Sequence, residues 1–561
     1  YTDPDNIYAL PITVLPNGGI YERTDNRLFG WDMRASISYN DVFNEDHIVN
    51  FYGGMETNSY DRHSTWFRGW GMQYSMGEIA NYAYQVFKKG VEENSEYYTM
   101  SNRHQRSAAF FANATYSYQG KYTVNGTVRY EGTNGLGKSR SSRWMPTWNI
   151  SGAWNAHEES WFKALQPALS HLTLKASYSL TGDRPSVTNS FAIIGSKVPW
   201  RPFAGVKESA LYQSSAANNE LTYEKKHELN LGLEAGFLNP IYRINFALDW
   251  YKRNNYDLIG LANTWGLTGE VQRYGNIASM KSNGVEISLN TTNIKTKDFT
   301  WTTSFIYSHT HNEVTDLKTS KRLIDLVSGN GFAQEGYPVR SLFSIQFMGL
   351  NKEGLPTFIN QDGELTVTGV NFQSSDPKNL KNLKYEGSVD PTDVGSFGNI
   401  FKYKGFTLNV FLTYSFGNVV RLDPVFKNQY NDLTSTPKEF KNRWAVAGDE
   451  NRTTIPVIAS KTQNKMNTNL KYAYNAYNYS TERIAKGDFI RMKEISLGYD
   501  FPKAWASALK LSNLSLKLQG TNLFLLYADK KLNGQDPEFF NTGGVAVPMA
   551  RQFTMTLNLG I

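Results

Sequence analysis

Residues 553–561 read FTMTLNLGI, and they alternate without a break. Phe553, Met555, Leu557, Leu559 and Ile561 share one face, while Thr554, Thr556, Asn558 and Gly560 share the other. Side chains on a strand repeat every two residues, so one face can meet hydrocarbon while the other lines a wet interior. The pattern predicts the closing strand of an outer-membrane β-barrel.

Composition agrees. Of 561 residues 14% are aromatic, 34 of them Tyr, yet only 40% are hydrophobic and mean hydropathy is −0.48. No uncharged apolar run reaches the roughly 18 residues that a transmembrane helix needs. A membrane β-barrel escapes that criterion because half of each strand is polar. The chain has no Cys, which suits passage through an oxidising periplasm without disulfides. Net charge is +7, but Lys and Arg are scattered among acids. No basic stripe forms, which argues against nucleic acid as a partner. The sequence opens on Tyr1 with neither Met nor a secretory signal, which for an outer-membrane protein leads to the expectation of processing or truncation.

Period-two segments recur from end to end. Val124, Val128 and Tyr130 alternate with Asn125, Thr127 and Arg129, and Leu172, Leu174, Ala176, Tyr178 and Leu180 alternate with polar neighbours. Further faces are Ile244, Phe246, Leu248 and Trp250; Val285, Ile287 and Leu289; Phe406, Leu408, Val410, Leu412, Tyr414 and Phe416; Ile495, Leu497, Tyr499 and Phe501; and Leu514, Leu516 and Leu518. No helical period of 3.6 is sustained.

The connections sort by length. Short ones are expected at 40–44, 119–120, 238–240, 294–298 and 404–405, and long polar ones at 58–103, 183–222, 310–392, 418–487 and 528–544. Outer-membrane barrels have short periplasmic turns and long extracellular loops in this alternation. Roughly fifteen strands result, an odd number, whereas single-chain bacterial barrels close with an even one. Counted back from the last strand, the first, near Trp31 and Tyr39, runs inward, so upstream strands are expected to be missing.

At this point a family resemblance becomes visible. The block KYTVNGTVRYEGTNGLGKSRSSRWMPTWNISGAW (121–154) resembles the SusC/RagA-like TonB-dependent transporters. So do LKASYSLTGD (174–183), NNELTYEKKHELNLGLEAGFL (218–238), GNIASMKSNGVEISL (275–289), EGYPVRSLF (335–343), FGNIFKYKGFTLNVFLTYSFG (397–417), GDFIRMKEISLGYDFP (487–502), GTNLFLL (520–526) and VPMARQFTMTLNLGI (547–561). The blocks cover nearly the whole chain in the family's order. The resemblance implies an all-β, 22-stranded transmembrane antiparallel barrel when complete, preceded by a plug and TonB box. Residues 1–561 would then be its C-terminal portion, with plug and TonB box not present. The final Ile561 departs from the Phe on which outer-membrane barrels often end.

What the resemblance further implies is energised import of large nutrients, oligosaccharides or oligopeptides, in the outer membrane of a Gram-negative bacterium of Bacteroidota type. A SusD-like surface lipoprotein would cap the mouth, TonB with ExbB and ExbD would act through the N-terminal region, and two SusCD pairs could dimerise. No cofactor is called for.

Several motifs reduce to structure. Residues 132–139, GTNGLGKS, match the phosphate-loop spacing, but the following RSSRWMP cannot make the amphipathic helix that such a loop opens. A hairpin loop between barrel strands is expected instead. His309 and His311 would share a face without an evident third metal ligand, and NGQDPE (533–538) lacks calcium-loop spacing, so no metal is assigned. No nucleophile elbow, Cys nucleophile or paired carboxylates point to an enzyme.

Aromatic residues divide in two. Trp148, Trp154, Trp250, Tyr251, Trp301 and Tyr499 are expected in the interfacial girdles. Trp200 with Arg201, and Trp265 with Arg273 and Tyr274, fall in or beside extracellular segments and are the candidate substrate contacts, because a flat ring stacks on a sugar or peptide group and Arg binds a carboxylate or hydroxyl. Packing against a partner lipoprotein would use the same residue types. Asn125, Arg129, Asn245, Asp249, Glu286 and Ser288 are expected to line the passage. Two alternatives remain: a passive porin-like channel, which a plug and TonB box on the complete gene would exclude, and a surface adhesin or assembly scaffold, which loss of uptake on gene deletion would exclude.

Overall fold

The computed structural model describes residues 8, 18–77, 79–80, 96–166, 168–184, 192–197, 210–238, 243–263, 272–319, 321–376, 379–427, 436–539 and 547–561. Its main feature is one antiparallel sheet in which fifteen long strands follow each other in chain order. They are β1 (Gly19–Phe43), β2 (His47–Gln73), β3 (Tyr98–Tyr118), β4 (Tyr122–Thr133), β5 (Trp144–Asn155), β6 (Leu169–Asp183), β7 (Glu224–Phe237), β8 (Ile244–Asn263), β9 (Gln272–Lys295), β10 (Phe299–Leu317), β11 (Asp393–Tyr403), β12 (Phe406–Phe416), β13 (Phe489–Asp500), β14 (Asn513–Ala528) and β15 (Gln552–Gly560). Each pairs with the next, as hairpin-built barrel walls must.

The register shows why the wall has two faces. Met555, Leu518, Leu497, Leu408, Phe401 and Trp301 lie side by side across six strands. One residue along, the neighbouring row is Thr556, Lys517, Gly498, Thr407, Lys402 and Thr300. Adjacent rows point to opposite sides, so the first row faces lipid and the second the lumen. Leu497 and Leu557 remain 45% and 54% exposed, which in water would be a large unfavourable apolar surface and in a bilayer is not.

Among the described residues, turns follow the expected sorting on the periplasmic side; of the turn expected at 238–240, residues 239 and 240 lie outside the described residues. Asn44 and Glu45, and Gln119 and Gly120, have positive φ, the geometry that lets a tight turn match strand twist. Two periplasmic connections are longer than a turn: residues 156–168 and 501–512 carry short helical segments, Ser160–Leu165 and Lys503–Ala508 among them.

The extent of two expected loops is corrected: β10 continues to Leu317, eight residues into 310–392, and the larger difference is at 58–103. Residues 58–103 are not all loop, because β2 continues to Gln73 and β3 begins at Tyr98. Pairing with β1, which itself reaches up to Gly19, carries the ladder through a stretch whose alternation mixes Arg, Asp, His and Trp. A membrane strand needs only about 9–11 residues. With 25 and 27 residues, β1 and β2 rise far beyond the lipid band, while β15 has only 9.

Tyr251 is a further correction. Trp148, Trp154, Trp250, Trp301 and Tyr499 face outward, but Tyr251 follows Trp250 and therefore points into the lumen. It is 3% exposed, lies across Gly284 and meets Thr310 Oγ1 at 2.8 Å. A Cβ on Gly284 would stand 2.4 Å from the Tyr251 hydroxyl, so only glycine leaves room for that ring.

Candidate transport lumen and vestibule

Polar side chains on the inner rows bond to each other along the wall. Asn113 donates to Thr127 Oγ1 at 2.7 Å and Asn125 to Thr115 Oγ1 at 2.6 Å. Arg129 is held between Glu56 and Glu131, the latter at 2.7 Å. Arg34 donates to the Tyr52 hydroxyl at 3.0 Å with its guanidinium 4.9 Å from the Phe111 ring. Arg253 meets Glu228 at 3.1 Å and lies 3.8 Å over Tyr251. Asp249 and Glu286 stand directly opposite each other across β8 and β9. The lining mixes donors, acceptors and both charges, which suits a hydrogen-bonding cargo and fits a lumen that selects by shape and contact more than by charge sign.

Two of the long connections above this wall build a core from their described residues. Residues 318–392 and 417–488 contribute jointly to one apolar core: Leu323, Val327, Ile345 and Phe358 come from the first, Phe426, Phe440, Leu470 and Tyr477 from the second. The helix Leu470–Asn478 supplies Leu470, Tyr474, Ala476 and Tyr477 to it. Burial pushes the Tyr477 hydroxyl pKa up.

Buried arginines tie these segments together. Arg421 donates to the Ser480 carbonyl at 3.2 Å, the Phe343 carbonyl at 2.7 Å and Ser344 Oγ at 2.9 Å. Burial lowers its guanidinium pKa to about 10, still charged at neutral pH. Arg483 bonds Glu439 at 2.6 Å and the Asp423 carbonyl at 2.7 Å. Arg491, on β13, bonds both carboxylate oxygens of Asp536 at 2.6 Å, while Leu532 packs with Val420, Leu422 and Ala485. The loop after β14 is thereby pinned to the wall. None of these arginines stood out in the sequence, where an Arg beside apolar residues in VVRLDP or FIRMKE is the only signal.

The candidate substrate residues are partly placed. Trp200, Arg201 and Trp265 lie outside the described residues. Arg273 and Tyr274 open β9 at its extracellular end and are exposed. As consecutive strand residues they point to opposite faces, so they do not form one contact site. Asn218 Nδ2 holds the Tyr274 carbonyl at 2.8 Å, which fixes the strand end against the segment before β7.

The GTNGLGKS loop joins β4 to β5 as a hairpin connection with a single helical turn, Arg140–Arg143. Its Gly137 amide donates to the Leu221 carbonyl at 2.9 Å, and a Cβ there would meet the Asn219 carbonyl oxygen at 2.1 Å. The glycine serves close packing, with Leu136, Met145, Leu221 and Tyr223 forming a small core, and its amide is not free for phosphate. His309 Nδ1 is 2.8 Å from Asp393, and among the described residues no three His, Asp or Glu are grouped to hold a metal ion.

The chain is similar to known proteins along most of its length. TonB-dependent receptor P3 of Formosa agariphila is 25% identical over 480 residues, 80% of this chain and 45% of that protein. TonB-dependent receptor SusC of Bacteroides thetaiotaomicron is 27% identical over 474 residues, 81% of this chain and 43% of that protein. In the structure of the RagAB peptide transporter one chain superposes with a TM-score of 0.76 at 21% identity, over 97% of this chain and 57% of that one, which establishes the shared fold. The chain thus spans about half the length of these relatives, which are named as receptors and a transporter, none as an enzyme. Residues 17–423 match the family described as TonB dependent receptor-like, beta-barrel, and the chain belongs to that family.

Proposed function

We propose that this chain forms the C-terminal part of the barrel of an energised importer, which carries oligosaccharides or oligopeptides across the outer membrane of a Bacteroidota-type bacterium together with a SusD-like surface lipoprotein. One observation carries the reading: a wall with an apolar outer row and a polar inner row is joined to a vestibule whose two long loops share one core. A channel for small solutes has no need of such a built entrance. Relatives named as TonB-dependent receptors support coupling to TonB, and the odd count of fifteen wall strands among the described residues supports further strands completing a 22-stranded barrel.

The test is uptake by cells carrying or lacking the gene, offered defined oligopeptides or oligosaccharides as sole nutrient, with and without functional TonB. Uptake that needs both the gene and TonB is the expected result, and the nutrient that depends on them names the substrate class. Gene-dependent uptake that continues without TonB would make the protein a passive channel. Normal uptake without the gene would leave only an adhesive or scaffolding role.

A further inference from the structure

The lipid-facing side of the wall is dented where β4 to β8 pass. Val124, Gly152, Ala176, Leu231 and Trp250 lie in one outward row, and the two smallest stand next to each other. They leave a cleft of about 740 Å³ that also reaches Trp154 and Leu174. It is open space: a Cβ on Gly152 would find only the Thr123 carbonyl oxygen, at 3.8 Å. Tyr122 and Trp154 bound it toward the periplasm.

Above the cleft the chemistry changes within two to six residues, about 7–20 Å along the strands. Lys252 follows Trp250 on the same face and is exposed. His227 lies between Tyr178 and Tyr256, each 5.7 Å away, with its ring nitrogens 3.4 Å from their hydroxyls. Trp148 closes the side at 6.4 Å, and Lys225 Nζ, ion-paired with Asp257 at 2.7 Å, stands 5.7 Å from the Tyr256 ring. An apolar slot thus ends in a cap of aromatic rings, the exposed Lys252 ammonium and the Lys225–Asp257 pair, at the depth where lipid headgroups begin.

We propose that slot and cap together bind one phosphorylated glycolipid of the outer leaflet, with an acyl chain along Gly152 and Ala176 and a phosphate against Lys252. The two halves agree on this occupant. The slot offers nothing to a polar ligand, and the extracellular end carries the exposed Lys252 in addition to the Lys225–Asp257 pair. A periplasmic-leaflet phospholipid would bring its phosphate to the other end, where the Tyr122 hydroxyl and the Trp154 indole both donate to the Glu159 carboxylate. That carboxylate repels phosphate, and the nearby Lys121 is already 3.7 Å from it. The site depends on membrane orientation alone and not on which cargo the protein imports.

The test is lipid retention by the full-length protein in mild detergent, counted by native mass spectrometry after addition of bisphosphorylated lipid A, dephosphorylated lipid A or phosphatidylglycerol. One bisphosphorylated lipid A per chain is expected to persist. Removal of its phosphates, or Lys252→Ala, should weaken retention about fivefold, the factor for about 1 kcal/mol per basic residue near an anionic surface. Gly152→Leu, which fills the slot, should weaken retention of both lipid A forms. Heat-shifted electrophoretic mobility verifies that each variant is folded, and the comparison of lipids on the unaltered protein stands without any variant. Equal retention of the two lipid A forms, equal retention of phosphatidylglycerol, or undiminished retention by folded Gly152→Leu would each overturn the assignment.

Discussion

Exchanging two neighbouring residues, Lys517→Leu together with Leu518→Lys, tests the two-faced wall without changing composition. Lys517 points into the lumen, exposed and 4.0 Å from Glu494, while Leu518 points outward between Leu497 and Met555. Leu518 is five residues from Asn513, where β14 leaves the periplasm. At about 3.3 Å per residue and a tilt near 40°, that places it roughly 13 Å up a lipid band about 25 Å tall, at the midplane. A lysine there costs about 2–4 kcal/mol. Removing the exposed Lys517–Glu494 pair costs less than about 1 kcal/mol. The exchange should therefore destabilise by about 3 kcal/mol, a factor of about 150, nearly all of it from position 518. The assay is urea unfolding in phospholipid vesicles followed by tryptophan fluorescence, with both single variants as controls. If Leu518→Lys is neutral within about 0.5 kcal/mol and Lys517→Leu is the damaging change, the faces are assigned the wrong way round.

Arg421→Ala should loosen the vestibule and leave the barrel intact. It orphans the Phe343 and Ser480 carbonyls and Ser344 Oγ at about 1–3 kcal/mol for each group that water does not reach, so amide hydrogen exchange at 341–345 should quicken by at least about tenfold while β11 to β13 exchange as before. Unchanged exchange would refute the stapling role. Acid should act on the same region. Hydrogen bonding from Arg322 holds Asp325 below its ordinary 3.8, the amides of Val446 and Ala445 do so for Asp449, and the Trp444 indole holds Glu450 below 4.5. Because these folded values are depressed, their stabilisation is complete above the ordinary values and is lost as pH falls through the folded ones. Trp444 fluorescence should stay constant from neutral pH to about 5 and change below about 4, with Asp449→Asn reducing the change. A transition centred near neutral pH would contradict this.

The wall was legible because its signal is local. In β15 or β12 every residue declares its side by its neighbour two positions away, and no distant contact is needed to read it. Legibility failed where that period was ignored or diluted. By residue type Tyr251 belongs with Trp250, yet adjacent strand positions must part. The upper reaches of β1 and β2 stand above the lipid, so neither face has to be apolar and the alternation fades while the hydrogen-bonded ladder goes on. Gly137 was a motif member by spacing and proves to be a packing glycine, a fact that depends on the Asn219 carbonyl, distant in sequence.

The vestibule was unreadable for a different reason, and the same reason bears on how it works. Its core joins Phe358 to Tyr477 and Phe426, residues of two loops separated by two barrel strands, and Arg421 bonds from the second loop to Phe343 and Ser344 in the first. Neither loop has a pattern that specifies a core alone, because each supplies only part of the apolar surface. Together they bury enough to be ordered before any ligand arrives, so the conformational entropy of the entrance is lost on folding and not on binding. The body they form is rooted in β10 to β13, four consecutive strands. On the proposed function, a cargo or capping partner would therefore meet a preformed surface on one sector of the rim, and mutations deep in that core, such as Phe358→Ala, should lower nutrient uptake by cells carrying the variant as strongly as changes to the residues that touch cargo.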